Sequence, residues 1–186
     1  AELAGAAGSS EMLLALYLLD LAGVSPSRIK EKSANSAAFA AVNRAKEGGE
    51  PTGTKVLVTS ADARNLIPYV AIAPRGFLEK HGPAVRAWLI GWLAGTERLR
   101  KDVPAAARQV AGKSGAPEAL ALVRQLGQID FVGFEDNVHK AGLAGRDALT
   151  LDELFRLTWR LWREAGVLST PTPERVPFYT DAIAAL

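Results

Sequence analysis

An eleven-residue apolar run near the start of the chain places the strongest constraint on its fold. Residues 12–22 contain a single charged side chain, Asp20. The run is too short to cross a bilayer, which takes about 20 residues. It is apolar on nearly every side, so a helix formed by it must be buried. Gly8, Ser9, Ser10 and Glu11 precede it and Gly23 follows, which predicts a helix that begins at these serines and stops at Gly23.

The remaining pattern predicts an α/β first part and a helical second part. Residues 33–45 are rich in alanine and predict a helix. Residues 55–60 and 69–73 are short β-branched runs that predict strands. Further helices are expected over residues 76–80, 83–101, 104–111, 117–126 and 150–165, with an irregular stretch at 129–145. The change near Pro74 is the best candidate boundary.

Two of these helices carry apolar residues at helical spacing. Gly91 and Gly95 interrupt the first stripe with a GxxxG spacing, which in a helix of this composition indicates close packing. The stripes comprise Val85, Trp88, Leu89, Trp92, Leu93 and Leu99 in the first helix and Leu151, Leu154, Phe155, Thr158, Leu161 and Trp162 in the second.

Composition argues against several classes of function. The chain has 186 residues, 22 Lys and Arg, 20 Asp and Glu, no cysteine, and only His81 and His139 as histidines. Thiol chemistry and a thiolate metal site are therefore excluded, and a zinc site has too few ligands. Acidic residues interleave with the basic clusters, so no nucleic-acid partner is expected. Ser9 and Ser10 do not lie in a G-x-S-x-G nucleophile motif. We expect a protein that is not an enzyme and has no cofactor.

The start of the first helix is the best candidate for a binding site. Gly8, Ser9 and Ser10 would present backbone N–H groups, hydroxyls and the positive end of the helix dipole to a small oxyanion, with Glu11 beside them. The same residues also suit a plain N-cap. Local sequence leaves both interpretations open.

The order of these segments resembles the periplasmic substrate-binding proteins of nitrate, sulfonate and taurine ABC transporters, a group that includes thiamine-precursor-binding proteins. The first matching segment joins a Gly-Ser-Ser helix start to a Leu-rich helix. The last two resemble a variant of the family that binds phosphate-type ligands. In chain order the matching segments are residues 8–24, 34–45, 55–63, 67–79, 81–93, 149–155 and 162–167.

The resemblance implies an α/β fold of the periplasmic-binding-protein type II class, in which two lobes close on a ligand. Residues 1–66 would form part of the second lobe, and residues 67–186 the return to the first lobe and its C-terminal helices. The ligand would be a small oxyanion or sulfonate-like solute. It would be held by Gly8, Ser9, Ser10 and Glu11, with Thr59, Ser60 and Asp62 at the end of a strand.

Function and partners follow from the same resemblance. The chain would be an extracytoplasmic, periplasmic component of an ABC importer, with the membrane permease as its partner and no catalytic step. The opening part of the first lobe and a stretch near Val42 and Asn43 have no counterpart here. Either the sequence omits those segments or the protein has lost half of its cleft. The second case predicts a protein-interaction module, with another chain or domain completing the first lobe.

Overall fold

The computed structural model describes a chain built mainly of helices. It covers residues 2–4, 8–25, 30–32, 62–63, 65–112, 116–127, 129–145, 149–176 and 178–186. The elements in this part are β1 (Glu2–Ala4), α1 (Ser10–Leu21), β2 (Lys30–Lys32), α2 (Arg75–Lys80), α3 (Gly82–Lys101), α4 (Val103–Ala111), α5 (Ala116–Leu126), α6 (Phe134–Lys140), α7 (Leu151–Glu164) and α8 (Asp181–Ala184).

The predicted α/β periplasmic-binding fold is wrong for the described part of the chain. The sheet found there is a single parallel pair, β1 with β2, three residues long, with Leu3 opposite Glu31. A ladder of this size cannot form the central sheet on which a two-lobed α/β fold is built. Helices form the rest of the regular structure.

One of the predicted strands is also wrong. Residues 69–73 form no ladder and are exposed, with Tyr69 and Ile72 about nine-tenths open to solvent. A β-branched run becomes a strand only when a neighbouring strand pairs with it, and none of the described residues pairs with this run. The predicted strand at 55–60 and the predicted helix at 33–45 lie outside the described residues.

Helix α1 forms as its sequence predicts. Ser9 is its N-cap, and the Ser9 hydroxyl accepts a hydrogen bond from the backbone N–H of Met12 at 3.2 Å. At the other end Gly23 adopts φ +69°, the left-handed conformation that glycine allows at low cost. The side chains of the first half, residues 12–16, are buried. The prediction of a buried helix is therefore confirmed for this half.

Helix α7 covers α1 in the first of two compact units, which comprises residues 1–70 and 151–177. Leu16 and Leu161 are fully buried there, and Trp162 is nearly so. A second cluster joins Leu14 to Leu66 and Leu154. The buried side chains of α7 lie on the face that the sequence predicts.

An ion pair ties the same two helices together at their surface. The Arg160 guanidinium donates to both carboxylate oxygens of Asp20, at 2.9 and 2.8 Å, and also donates to Glu164 at 3.2 Å. The hydrogen bond from Arg160 holds the pKa of the Asp20 carboxyl below its ordinary value, although partial burial opposes this shift.

The second unit comprises residues 71–150 and 178–186. Helix α3 packs against α4 and α8, and α4 packs against α5. Asp102 ends α3 and begins α4, where its carboxylate accepts a hydrogen bond from the Ala105 N–H at 2.9 Å. The predicted helices 83–101, 104–111 and 117–126 are confirmed to within one residue at each end. The assignment of residues 1–66 and 67–186 to lobes of a binding protein stays a prediction.

Helix α6 forms inside the stretch that the sequence suggests is irregular. The Asp136 carboxylate accepts a hydrogen bond from the Gly133 N–H at 2.8 Å and one from Arg100 of α3 at 3.4 Å. A side chain from another helix thus helps to hold the start of α6, and local sequence does not reveal that contact.

Candidate functional site

An exposed pair of stacked tryptophans on α3 is the most distinctive surface feature of the second unit. The rings of Trp88 and Trp92 lie with centroids 5.5 Å apart and planes inclined by 23°. About half of each side chain is open to solvent, 49% for Trp88 and 57% for Trp92. Large aromatic side chains left open in this way are typical of contact surfaces rather than of a folded core.

Small residues on the same side of α3 leave notches beside the rings. A Cβ atom built on Gly91 or on Gly95 meets nothing within 4 Å. The residues of this side are all exposed and uncharged, and we call them the tryptophan face: Ala84, Trp88, Gly91, Trp92 and Gly95.

The apolar stripe predicted for this helix is wider than the surface that the second unit covers. Val85, Leu89 and Leu93 are partly buried and Thr96 is buried, so these residues mark the inner side of α3. Trp88 and Trp92 each precede one of the inner leucines. Because successive helical residues point about 100° apart, the tryptophans lie beside the core and not in it.

Sequence reasoning therefore missed the tryptophan face. It placed both tryptophans in one apolar stripe with the inner leucines and interpreted Gly91 and Gly95 as a packing contact. The available signal was the adjacency of Trp88 to Leu89 and of Trp92 to Leu93, because neighbouring helical residues point about 100° apart and a narrow covering surface leaves one of the two exposed.

The predicted anion site is described at the start of α1. Ser9 has its hydroxyl engaged with the Met12 N–H, and Ser10 donates its hydroxyl hydrogen bond to Glu11 at 3.2 Å. Gly8 adopts φ +80° and is open on its Cβ side. The structure thus brings Gly8, Ser9, Ser10 and Glu11 together in one turn.

Electrostatics at this turn favour the interpretation as an N-cap. The pKa of Glu11 is lowered, first by a hydrogen bond to its backbone N–H and then by the hydroxyls of Ser9 and Ser10, while slight burial opposes the shift. The ionised carboxylate takes up hydrogen-bond donors that an external oxyanion would need. It would also repel that anion at close range.

The other predicted ligand residues are Thr59, Ser60 and Asp62. Thr59 and Ser60 lie outside the residues that the structure describes. Asp62 is on an exposed turn, next to Ala63, which packs on the cluster of Leu14. An anion site shared by all these residues stays a prediction.

Basic and aromatic residues of α7 are held by intramolecular contacts. Trp162 is buried, and Trp159 donates its indole hydrogen bond to the carbonyl oxygen of Thr170 at 3.1 Å. Arg160 is paired with Asp20. These side chains stabilise the first unit and are not presented as a stacking platform.

The described residues also limit other kinds of site. Within them, no group of three His, Asp or Glu side chains is placed to hold a metal ion, and no helix is both long and apolar enough to span a membrane. An open depression of about 190 Å³ lies between α3 and α8, with Arg86, Tyr179 and Asp181 in its lining. The carboxylate of Asp181 beside Arg86 makes this depression a poor anion site.

Comparison with protein-family models, curated proteins and solved structures finds no match for this chain. Its function is therefore argued from the geometry of its own residues.

Proposed function

We propose that this chain is a protein-interaction module and that the tryptophan face is its binding surface. The observation that carries the proposal is the stacked, half-exposed pair Trp88 and Trp92 beside the open notches at Gly91 and Gly95. Buried tryptophans supply much of the energy of protein interfaces, and a notch lets a partner backbone approach closely. This proposal follows the alternative in which a binding-protein relative has lost its cleft.

The packing of the second unit supports the proposal. Among the described residues, every buried hydrophobic side chain larger than alanine lies in the first unit. The buried apolar residues of the second unit are Ala107 and Ala119. Several of its larger apolar side chains, Trp88 and Trp92 among them, are exposed, and burying them against a partner would contribute roughly 25 cal/mol per Å².

Site-specific photo-cross-linking tests this function. A benzophenone amino acid is placed at Ala87, an exposed residue next to Trp88, and in a matched control at Val110, which is 70% exposed on α4. We expect a single adduct of defined mass from position 87 and none from position 110. The adduct should disappear when Trp88 and Trp92 are both replaced by alanine.

The result that would overturn the proposal is also defined. If position 87 gives no adduct in the cells that make the protein, or gives the same adducts as position 110, the tryptophan face is not a binding surface. Retention of the adduct after the double alanine substitution would lead to the same conclusion.

A second candidate function is the capture of a small oxyanion at the start of α1, where the ligand would have to displace the contacts of the ionised Glu11 carboxylate. Gly8, Ser9 and Ser10 lie at the N-terminus of a twelve-residue helix, with open space beside Gly8. In this candidate the chain is the solute-binding component of an ABC importer outside the cytoplasmic membrane and has the permease as its partner. It performs no catalysis.

Thermal unfolding with nitrate, sulfate, phosphate, taurine and an alkylsulfonate tests this second candidate. A ligand at about 100 times its Kd stabilises the folded state by about 2.7 kcal/mol. Sodium chloride at matched ionic strength is the control, and Ser10→Ala should weaken the effect. Equal unfolding temperatures in all these salts would exclude the candidate.

A further inference from the structure

Large and small residues alternate along the tryptophan face, in the order Trp88, Gly91, Trp92 and Gly95. Residues three, four and seven positions apart lie on one side of a helix, so these four form a narrow line along α3, which we call the seam. His81 and Asp102, the two capping residues of the helix, lie seven positions before Trp88 and seven after Gly95. The seam therefore offers a second helix a continuous line of contact.

The large and small residues on this seam are complementary to those of a second copy that runs in the opposite direction. In an antiparallel pair of α3 helices centred between Gly91 and Trp92, each Trp92 stands level with the Gly91 of the other copy. In the same register each Trp88 stands level with a Gly95. Both rings thus meet a notch that has open space where a Cβ would lie.

The ends of the helix continue this match. Leu99, which is partly buried in its own unit, stands level with the exposed Ala84, again a large residue opposite a small one. His81 stands level with Asp102, so an imidazole N–H donor faces a carboxylate acceptor at each end of the seam. The Asp102 carboxylate has capacity beyond the bond that it accepts from the Ala105 N–H.

We propose that the occupant of the tryptophan face is a second copy of this chain, bound α3 against α3 in antiparallel orientation. The proposal rests on the proposed interaction function and names its partner. A two-fold axis passes between Gly91 and Trp92, so the same four matches occur twice. A partner of unrelated sequence would have to supply its own notches and polar ends in the reverse order, whereas a second copy already has them.

The size of the contact sets its strength. Helix α3 has 20 residues and is about 30 Å long. Four half-exposed indole rings and the helix surface beside them place the contact near the low end of specific interfaces, about 1,200 Å². We therefore expect a weak dimer that dissociates when the protein is diluted.

Sedimentation velocity on the whole chain tests the dimer over about a hundredfold range of protein concentration. The informative variant is Gly95→Leu, because the added side chain has room in a single copy and fills the notch that receives the partner's Trp88. We expect Gly95→Leu to weaken dimerisation at least tenfold, a change of about 1.4 kcal/mol. The control variants Ile90→Ala and Gly76→Leu lie away from the tryptophan face. We expect them to leave the dimerisation constant unchanged.

Exchanging the two members of a pair gives a rescue. Trp88→Ala alone and Gly95→Trp alone should each weaken the dimer. In the double variant, the tryptophan at position 95 again stands opposite a small residue, the alanine at position 88 of the other copy. The double variant should therefore recover part of the affinity of the dimer. Failure of this recovery while both single variants dissociate would contradict the proposed register.

Introduced cysteines test the direction of the helices, since the chain has none of its own. Gly91→Cys lies beside the two-fold axis and should form an intermolecular disulfide. Ala84→Cys should not, because the two copies of residue 84 would lie about 22 Å apart along an antiparallel pair. A disulfide at position 84 would instead indicate parallel helices and overturn the proposal.

The results separate this inference from the function on which it rests. A monomer at every concentration, or a dimer that Gly95→Leu does not weaken, overturns the antiparallel α3 pair. If the cross-link from position 87 then has a mass other than twice that of the chain, the interaction function stands with a different partner. If there is no cross-link, both proposals fail.

Discussion

Single side chains decide how α1 begins and how it is held. Ser9 satisfies a backbone N–H that the first turn leaves without a helical partner, and Asp20 near the other end pairs with Arg160. Both contacts are partly open to water. Their contributions are therefore about 1 kcal/mol or less, and matched variants can separate them.

Replacement of Ser9 tests the cap. Ser9→Ala removes the acceptor for the Met12 N–H and should lower the free energy of unfolding by about 1 kcal/mol. Ser10→Ala is the matched control, because the Ser10 hydroxyl bonds to exposed Glu11 and caps nothing. Urea unfolding measures both variants, and equal losses would contradict the capping role of Ser9.

The ion pair between Asp20 and Arg160 should make the free energy of unfolding depend on pH in the acidic range. Arg160 lowers the pKa of Asp20 in the folded state, so the stabilisation is complete above the unfolded pKa, about 3.9, and is lost as the pH falls through the folded value. Both side chains are partly exposed, so solvent screening limits the coupling to about 0.5–1 kcal/mol.

A double-mutant cycle with Asp20→Asn and Arg160→Met isolates this coupling from the similar acid dependence of Glu11. Unfolding free energies at pH 7 should give a favourable coupling, and those near pH 2 should give a value close to zero. A coupling that stays the same at both pH values would show that the carboxylate is not responsible.

At the scale of elements, the packing of α1 on α7 holds the first unit together. The two helices are far apart in sequence, and each contributes a fully buried leucine, Leu16 and Leu161. Residues 12–16 are buried all round the first half of α1, whereas α7 buries one face only. An apolar helix and an amphipathic one thus pack directly on each other to form this core.

Replacing Leu161 tests this packing. Leu161→Ala leaves a cavity in a fully buried position and should lower the free energy of unfolding by about 2–5 kcal/mol. Leu21→Ala, at a side chain that is 67% exposed on α1, should change it by less than about 0.5 kcal/mol. Calorimetry of both variants gives the comparison, and a loss below about 1 kcal/mol for Leu161→Ala would mean that α7 does not pack as described.

For the whole molecule, the contrast between the two compact units is the main feature. The first unit contains the two clusters of large buried side chains, and the second buries only alanines among its described apolar residues. Local stability follows the amount of buried apolar contact. The second unit should therefore open more readily until a partner covers α3.

Hydrogen exchange measures this difference. Amides of α1 and α7 should exchange more slowly than those of α3 and α4 in dilute protein. At a concentration where the chain dimerises, protection should increase in α3 and should not change in α7. Uniform protection in both units at low concentration would contradict the difference in stability.

Local sequence determined most of the helix boundaries. The serine before α1, the glycine after it, and the periodic residues of α3 and α7 act within a few positions of themselves. Helix caps and helical periodicity use near neighbours, so the chain need not be folded for them to be visible. The buried face of α7 was predictable for the same reason.

Tertiary structure alone decided the rest. Residues 69–73 have strand-like side chains but form no ladder in the described residues, and the start of α6 gains a contact from Arg100, 36 positions before Asp136. Which side of α3 is covered depends on where α4 and α8 lie, and that leaves Trp88 and Trp92 open. Sheet pairing and burial depend on residues distant in sequence. Local caps and periodicity could therefore predict α1, α3, α4, α5 and α7, whereas the α/β fold implied by the order of the segments is wrong for the described part of the chain.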